Sequence, residues 1–299
     1  MTITATKILL AKMGQTDAPL RFSPANTKLR KLATNPEVIT HIRNTLARID
    51  CPQSWHRRAP HRFVYSFDLL SGFSCPGAKD CLSRAIVNEN GRTIILDGPD
   101  TQWRCFSASQ EAQYPGVFKK RAQNFATLRA VEQRARGKRQ REAIAARIQS
   151  ALPDDALIVR IHVSGDFFSQ AYWLAWCDIA HAHPNRTFYA YTKNLKLWVN
   201  ADRLPRNLIL TASRGGRWDN LIAIHNLREA RVILSADDEN RFDSFRFANS
   251  PEYRATLPID TDDSHAMLPE RKRDSFCLLI HGTQPPNSAA SRALSALSK

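Results

Sequence analysis

The stretch ALIVRIHVSGDFFSQAYWLAWCDIAHAHPNRTFYAYTK, from Ala156 to Lys193, decides how the chain folds. Its opening run, ALIVRIHV, is apolar and rich in β-branched residues over a length that suits a strand, and it stops at Ser164-Gly165-Asp166. QAYWLAWCDIAHAHP then reads as a helix ended by Pro184, and RTFYAYTK as a second strand. A strand, a helix and a strand in that order make a crossover, and a crossover joins parallel neighbours. The alternation continues through LKLWVNADRL, RNLILTAS, WDNLIAIHNLREA and RVILSADD. The expected fold class is therefore α/β: a parallel sheet with crossover helices over residues 61–284, laid out as an open sheet or as a partial or full β/α barrel. In either layout the functional edge lies at the carboxyl ends of the strands. Those ends carry Ser164-Gly165-Asp166, Tyr191-Thr192-Lys193, Ser213-Arg214-Gly215 and Asp237-Asp238.

Working outward, residues 1–60 form a polar, basic N-terminal extension that is expected to pack on the main body without a core of its own. One helix is expected there, from Asn35 through NPEVITHIRNTLARI, with Val38, Ile39, Ile42, Leu46 and Ile49 as its apolar stripe. Residues 285–299, rich in Ser and Ala, read as a flexible tail or loose helix. Across 299 residues, 43% hydrophobic and 24% charged is the composition of a globular chain and excludes wholesale disorder. No apolar run approaches the roughly 20 residues that span a bilayer, and the only apolar part of the start, ILLA, is too short for a signal peptide. The expected location is the cytoplasm, without a membrane partner and with reduced cysteines. Lys+Arg 43 against Asp+Glu 28 gives a net charge of +15, which points to a polyanionic partner, nucleic acid first.

FSCPGAKDC sets Cys75 and Cys81 around a Pro76-Gly77 turn, and QWRCFSASQE brings in Cys105. Thiolates bind soft metals and iron–sulfur clusters. Five residues separate the first two, against a usual two to four in zinc sites, so an iron–sulfur cluster is the better expectation and zinc the alternative. The competing reading is that these are simply buried thiols, as Cys177 in YWLAWCDIA is expected to be. Cys51 and Cys277 are weak candidates for a fourth ligand. His281, at the end of CLLIHG, becomes a metal ligand only if the fold brings it to the cysteines. Asp262, Asp263 and His265 in TDDSHAM are able to hold a hard or borderline metal, though in no standard order.

Asp166 reads as a general base, a metal ligand or the cap of the following helix, and Lys193 as a phosphate or carboxylate partner or a surface lysine. From Lys119 to Ser150 the chain looks helical, with Phe125, Leu128, Ala145 and Ile148 inward and ten Lys/Arg against two Glu. That run is either a solvated face or a phosphate-tracking one built on Lys119, Lys120, Arg121, Arg134, Arg136, Lys138, Arg139 and Arg141. SRGGRWDN has the glycines and arginines of a short anion nest. No Walker loop, dinucleotide fingerprint or G-x-S-x-G elbow is present, which removes kinase, NAD enzyme and serine hydrolase readings.

FDLLSGFSCPGAKDCLSRA, RCFSASQEAQYPGVFKKRAQNF, RIHVSGDFFSQAYWLAW, FYAYTK and DDSHAM with SFCLLIHGTQP together resemble the gene product 88 family, uncharacterised proteins of phages and their bacterial hosts. The resemblance runs from about Phe67 to about Pro285, and implies a phage-type protein in a bacterial cytoplasm without implying an activity. More distantly, a Cys-rich turn, a strand ending in Ser-Gly-Asp and a later TK are similar to phage proteins related to radical S-adenosylmethionine enzymes. That likeness implies three thiolates on a [4Fe–4S] cluster with one iron open. Ser164, Gly165 and Thr192 would then lie at the S-adenosylmethionine site, beside Asp166 and Lys193 as catalytic candidates. The chain departs from it: Cys105 follows Cys81 by 24 positions instead of closing a C-x3-C-x2-C loop, and no Gly-Gly-Glu follows the first strand.

Overall fold

The computed structural model describes residues 3–16, 18–88, 90–239, 242–243 and 255–297. Its strands are β1 (Phe22–Pro24), β2 (Val64–Phe67), β3 (Ser83–Val87), β4 (Thr93–Asp97), β5 (Ile158–Ile161), β6 (Thr187–Thr192), β7 (Leu208–Ser213), β8 (Glu229–Ile233), β9 (Phe242–Asp243), β10 (Ala255–Thr256) and β11 (Phe276–Leu279). The helices are α1 (Ile3–Gln15), α2 (Thr27–Leu32), α3 (Pro36–Leu46), α4 (Phe106–Gln113), α5 (Pro115–Arg134), α6 (Lys138–Gln149), α7 (Gln170–Ala182), α8 (Leu195–Val199), α9 (Asn220–Ile224), α10 (Ser264–Met267) and α11 (Ala289–Leu297).

Seven strands make one sheet in the order β1-β2-β5-β6-β7-β8-β11. All neighbours run parallel except β1, which pairs antiparallel with β2. The strands follow chain order without reversal, as barrel strands do, and among the described residues β1 and β11 are edges, so the sheet has the strand order of a partial barrel and does not close into a full one. Parallel strands are covered on both faces, and side chains here alternate accordingly. Val159, Ile161, Phe188, Ala190, Leu208 and Leu210 join one core with α5, α6 and α7, where Trp173 and Trp176 are fully buried. Burial of such a side chain stabilises by about 1.5–3 kcal/mol.

Ile158, Tyr189, Ile209, Ala230 and Phe276 face the other way, against Leu29 and Leu32 of α2, Val38, Ile42 and Leu46 of α3, and Met267 of α10. The N-terminal helices α2 and α3 thus share the covering of this sheet face with α10. Where one helix is expected in residues 1–60 there are three. Asparagines start α2 and α3: Asn26 accepts from the Leu29 amide at 3.0 Å and Asn35 from the Glu37 amide at 3.0 Å, with Pro36 in the first turn of α3. The long basic stretch is two helices, not one. Gly137, at φ +57°, turns the chain between α5 and α6. Residues 289–297 of the expected tail are helical as α11, and its last two residues lie outside the described set.

Candidate functional site

Because β5, β6, β7, β8 and β11 are parallel, their carboxyl ends meet at one edge, where they wall a cavity of about 240 Å3. Cys75, Cys81 and Cys105 line it together, beside Ser164, Gly165, Asp166, Lys193 and His281. A hairpin closes the 23-residue gap between the last two cysteines. Strand β3 leaves just after Cys81, β4 returns in register from Thr93↔Val87 to Asp97↔Ser83, and the Cys105 amide donates to Ser83 Oγ at 3.2 Å. Arg104, paired with Asp97 at 2.6 Å, fastens that return.

The Cys75–Cys81 turn is held from the sheet side. Its Gly77 carbonyl accepts from Arg217 N at 2.9 Å, and Asp80 N donates to the Gly215 carbonyl at 3.0 Å. A Cβ on Gly77 would stand 2.3 Å from the Lys193 carbonyl oxygen and 2.5 Å from its carbon, both backbone atoms that cannot step aside. We therefore expect Gly77→Ala to push the turn off the end of β6 and to cost about 1–3 kcal/mol, measurable by urea denaturation. A cost below about 0.5 kcal/mol would mean the turn is not seated there.

None of the six cysteines forms a disulfide. The three cavity thiols are partly accessible along the cavity but otherwise enclosed by protein. Burial raises the pKa of each: Cys75 well above the ordinary thiol value, Cys81 above it, and Cys105 to about 12. After burial, mutual repulsion acts, since Cys75 is pushed up further by Asp166 and Cys105, and Cys105 by Cys81. Opposing it, the Gly72 amide donates to Cys75 Sγ at 3.4 Å, and the Lys193 ammonium favours the Cys81 thiolate. The Ser107 and Ala108 amides at the start of α4 do the same for Cys105, although neither closes a cap hydrogen bond onto the sulfur.

Among the described residues, no three His, Cys, Asp or Glu side chains close around one point as a single ion requires. Metal–sulfur bonds of about 2.3 Å would demand that convergence of a lone zinc ion. A cluster gives each thiolate its own iron and accepts a wider set of ligands. The donor set on this cavity is three thiols, with amides turned toward two of the sulfurs.

The gene product 88 family profile matches residues 20–296, nearly the whole of the architecture just described. The chain belongs to the Gene product 88 family. Comparison with curated proteins and with solved structures gives no match. In this family member no helix among the described residues is long and apolar enough to cross a membrane.

The strand-end residues are built into the cavity wall. Asp166 accepts from Thr192 Oγ1 at 2.7 Å, Phe167 N at 2.7 Å and Lys193 N at 2.8 Å, which ties the end of β5 to the end of β6. Burial raises its pKa to about 6 against those three donors. The cap of α7 is Ser169, accepting from Tyr172 N at 3.2 Å, so Asp166 is not the helix cap. Lys193 is buried and donates to the carbonyls of Ser213, at 2.9 Å, and Arg214, so it is not a surface lysine. Gly165 sits at φ +95°, and a Cβ there would meet Leu69 Cβ and Ser74 Oγ, each at 2.7 Å. His162 reaches Tyr172 Oη through Nε2 at 2.8 Å, while its buried Nδ1 has no partner. Burial, then Arg160, lowers its pKa to about 3, so it stays neutral.

His281 lines the cavity too, packed on Phe106 with ring centroids 4.6 Å apart. Its electrostatic neighbours are Lys28, Arg160 and Asp263 rather than the cysteines. Asp263 is fully engaged elsewhere, by Lys28 at 2.6 Å, Arg160, Tyr189 and Tyr191, and Asp262 holds Asn35 and the Ser264 amide. The TDDSHAM carboxylates are therefore structural. The SRGGRWDN nest is filled from within, since Asp219 accepts from the Gly215 and Gly216 amides at 2.7 and 2.9 Å.

Glu111 is the residue that sequence reasoning missed. It is fully buried and accepts from Ser71 N at 3.2 Å, Ser71 Oγ, Ser164 Oγ at 2.8 Å and Arg121 at 3.2 Å. One carboxylate thereby joins α4, which Cys105 precedes, to the Ser71 turn ahead of Cys75 and to the Ser164 loop. Arg121 is consequently interior and cannot track phosphate. The expected basic face shrinks further: Lys120 donates to Ser23, and Arg141 is paired with Asp178. Lys119, Arg134, Arg136, Lys138 and Arg139 remain exposed.

Proposed function

We propose that the protein carries an iron–sulfur cluster on Cys75, Cys81 and Cys105 and acts on nucleic acid at the carboxyl edge of its sheet. The observation that carries this reading is the meeting of three thiols, two from the Cys75–Cys81 turn and one from the segment before α4, at a cavity walled by the strand ends. Three buried thiolates repel one another, so the set is stable either as neutral thiols or around a cationic centre. When bound, such a cluster supplies electron transfer or an open iron for a substrate. The chain's own contribution is to exclude water, to aim amides at the sulfurs and, through Glu111, Asp166 and Lys193, to keep the loops in place. The +15 charge supports a polyanionic partner.

The position of the cavity favours a second reading in one respect. An edge formed by successive parallel strand ends is where α/β enzymes bind substrate, which suits a redox-active cluster with S-adenosylmethionine as co-substrate better than a purely structural one. Anaerobically purified and reconstituted protein is expected to be brown, with iron and sulfide, and Cys75→Ser or Cys105→Ser to lose both. Cys177→Ser, away from the cavity, should keep them. Colourless, iron-free wild-type protein after reconstitution would overturn the cluster. Reduction with S-adenosylmethionine then separates the two readings, since 5′-deoxyadenosine forms only under the second.

A further inference from the structure

We propose that the groove between α1, the Cys75 turn and α5 is a binding site for single-stranded nucleic acid. The inference extends the reading above by naming the site and form of its substrate, and it does not require the cluster itself.

This groove is the larger cavity of the two that Cys75 lines, about 930 Å3 against about 240 Å3. Lys7, Arg84, Arg129, Arg134 and Arg217 line it, and among the described residues no acidic side chain does. Of these cations only Arg129 has an acidic partner among the described residues, Glu132. Arg84 donates from Nε to the Gly72 carbonyl at 3.2 Å, and Arg134 to the Gly14 carbonyl at 3.3 Å, so backbone contacts orient both without neutralising them. Burial first and then the nearby Arg217 lower the pKa of Arg84, a like-charge proximity that a bound anion would relieve.

The aromatic content separates a strand from a simple phosphate. Arg84 lies 5.8 Å from the centroid of Phe73, and Arg129 lies 5.6 Å from that of Phe168, and both rings line the groove. Phe168 is itself stacked on Tyr172, centroids 4.5 Å apart, so what the groove presents to a base is the guanidinium planes of Arg84 and Arg129 held over rings. Such planes stack on unpaired bases, and cations beside them follow the backbone. A duplex, with its bases stacked inside, has no use for such planes recessed in a groove. Cys75 lines this groove as well as the thiol cavity, so a bound strand would pass beside the proposed cluster.

The test uses the full-length protein with fluorescein-labelled dT15 and rU15 in anisotropy titrations across a salt series. Hairpin duplex and free mononucleotide serve as comparison arms, and wild type and Cys105→Ser are measured in parallel. We expect a single strand to bind in both proteins. Arg84→Ala combined with Arg217→Ala should weaken it by about tenfold or more and lower the salt slope by about 1.4, at about 0.7 for each phosphate no longer neutralised. Arg217→Glu, on an exposed side chain, should weaken it alone should the double variant fold poorly. Lys138→Ala with Arg139→Ala on α6 should leave it within about twofold. Any one of four results would overturn the inference: no strand binding by wild type, loss only in the α6 variant, preference for duplex, or binding of mononucleotide as tight as of the strand. Loss of iron in Cys105→Ser with strand binding intact would leave this site standing apart from the cluster.

Discussion

Replacement of Asp263 by Ala is expected to lower stability by about 3 kcal/mol, because it leaves the largely enclosed Arg160 guanidinium without its counter-charge. Asp263 is completely buried and gathers Lys28 from the N-terminal segment, Arg160 from β5, and the hydroxyls of Tyr189 and Tyr191 from β6, at 3.2 and 3.1 Å. Burial by itself would raise its pKa, but Arg160 and Lys28 overcome that and hold it at about 2, below its ordinary 3.8. A depressed acid stabilises the fold above its unfolded pKa and loses that contribution as the pH falls through the folded one. The wild type should therefore lose on the order of 2 kcal/mol between about pH 4 and about pH 2 from this group. Asp263→Asn, which tolerates the local φ of +70°, should flatten that interval. Urea denaturation at pH 7 and across the acid range measures both effects. A cost under about 1 kcal/mol for Asp263→Ala would show that water reaches Arg160.

The second large effect is expected at Glu111. Glu111→Ala should cost about 3–5 kcal/mol, since Arg121 is left as a buried, unopposed charge and the Ser71 and Ser164 donors lose their acceptor. A double change, Glu111→Met with Arg121→Met, should be less harmful than Glu111→Ala alone, because a buried pair replaced by apolar side chains of similar size removes both desolvation penalties. Should the double variant prove as unstable as the single, the damage comes from the serine contacts and not from the ion pair. Iron content of the folded double variant reports separately on positioning, as the Ser71 and Ser164 loops flank the cysteines.

What was legible in the sequence was whatever depends on local pattern. LIVRI and TFYAYT announce buried parallel strands because both their faces are apolar, and the Pro-ended helix between them fixes the crossover. The three cysteines could be singled out by residue type, but their meeting depends on the β3–β4 hairpin. Its turn signals were there to be used, in NENGRT with Gly91 at φ +72° between two alternating runs. The N-terminal edge strand is three residues long and carries no period. Glu111 left no trace because its partner Arg121 lies beyond Pro115 on the next helix, outside any i,i+4 pattern. Charge counts also say nothing about burial, which is why Arg121 looked like surface. Gly137 alone marked the break in the basic stretch, and an isolated glycine in a helical run is weak punctuation.

The cavity has a consequence for the timing of synthesis. Its walls extend from Asn26 and Lys28, near the beginning of the chain, to Leu279 and His281, near the end. On a ribosome adding about 5–20 residues each second, Cys75 and Cys105 emerge many seconds before β11 can dock against β8. During that interval the thiols have no enclosing pocket and meet solvent and oxidants as ordinary cysteines. Enclosure cannot precede the synthesis of β11, so a factor acting before that point would meet the thiols outside any pocket.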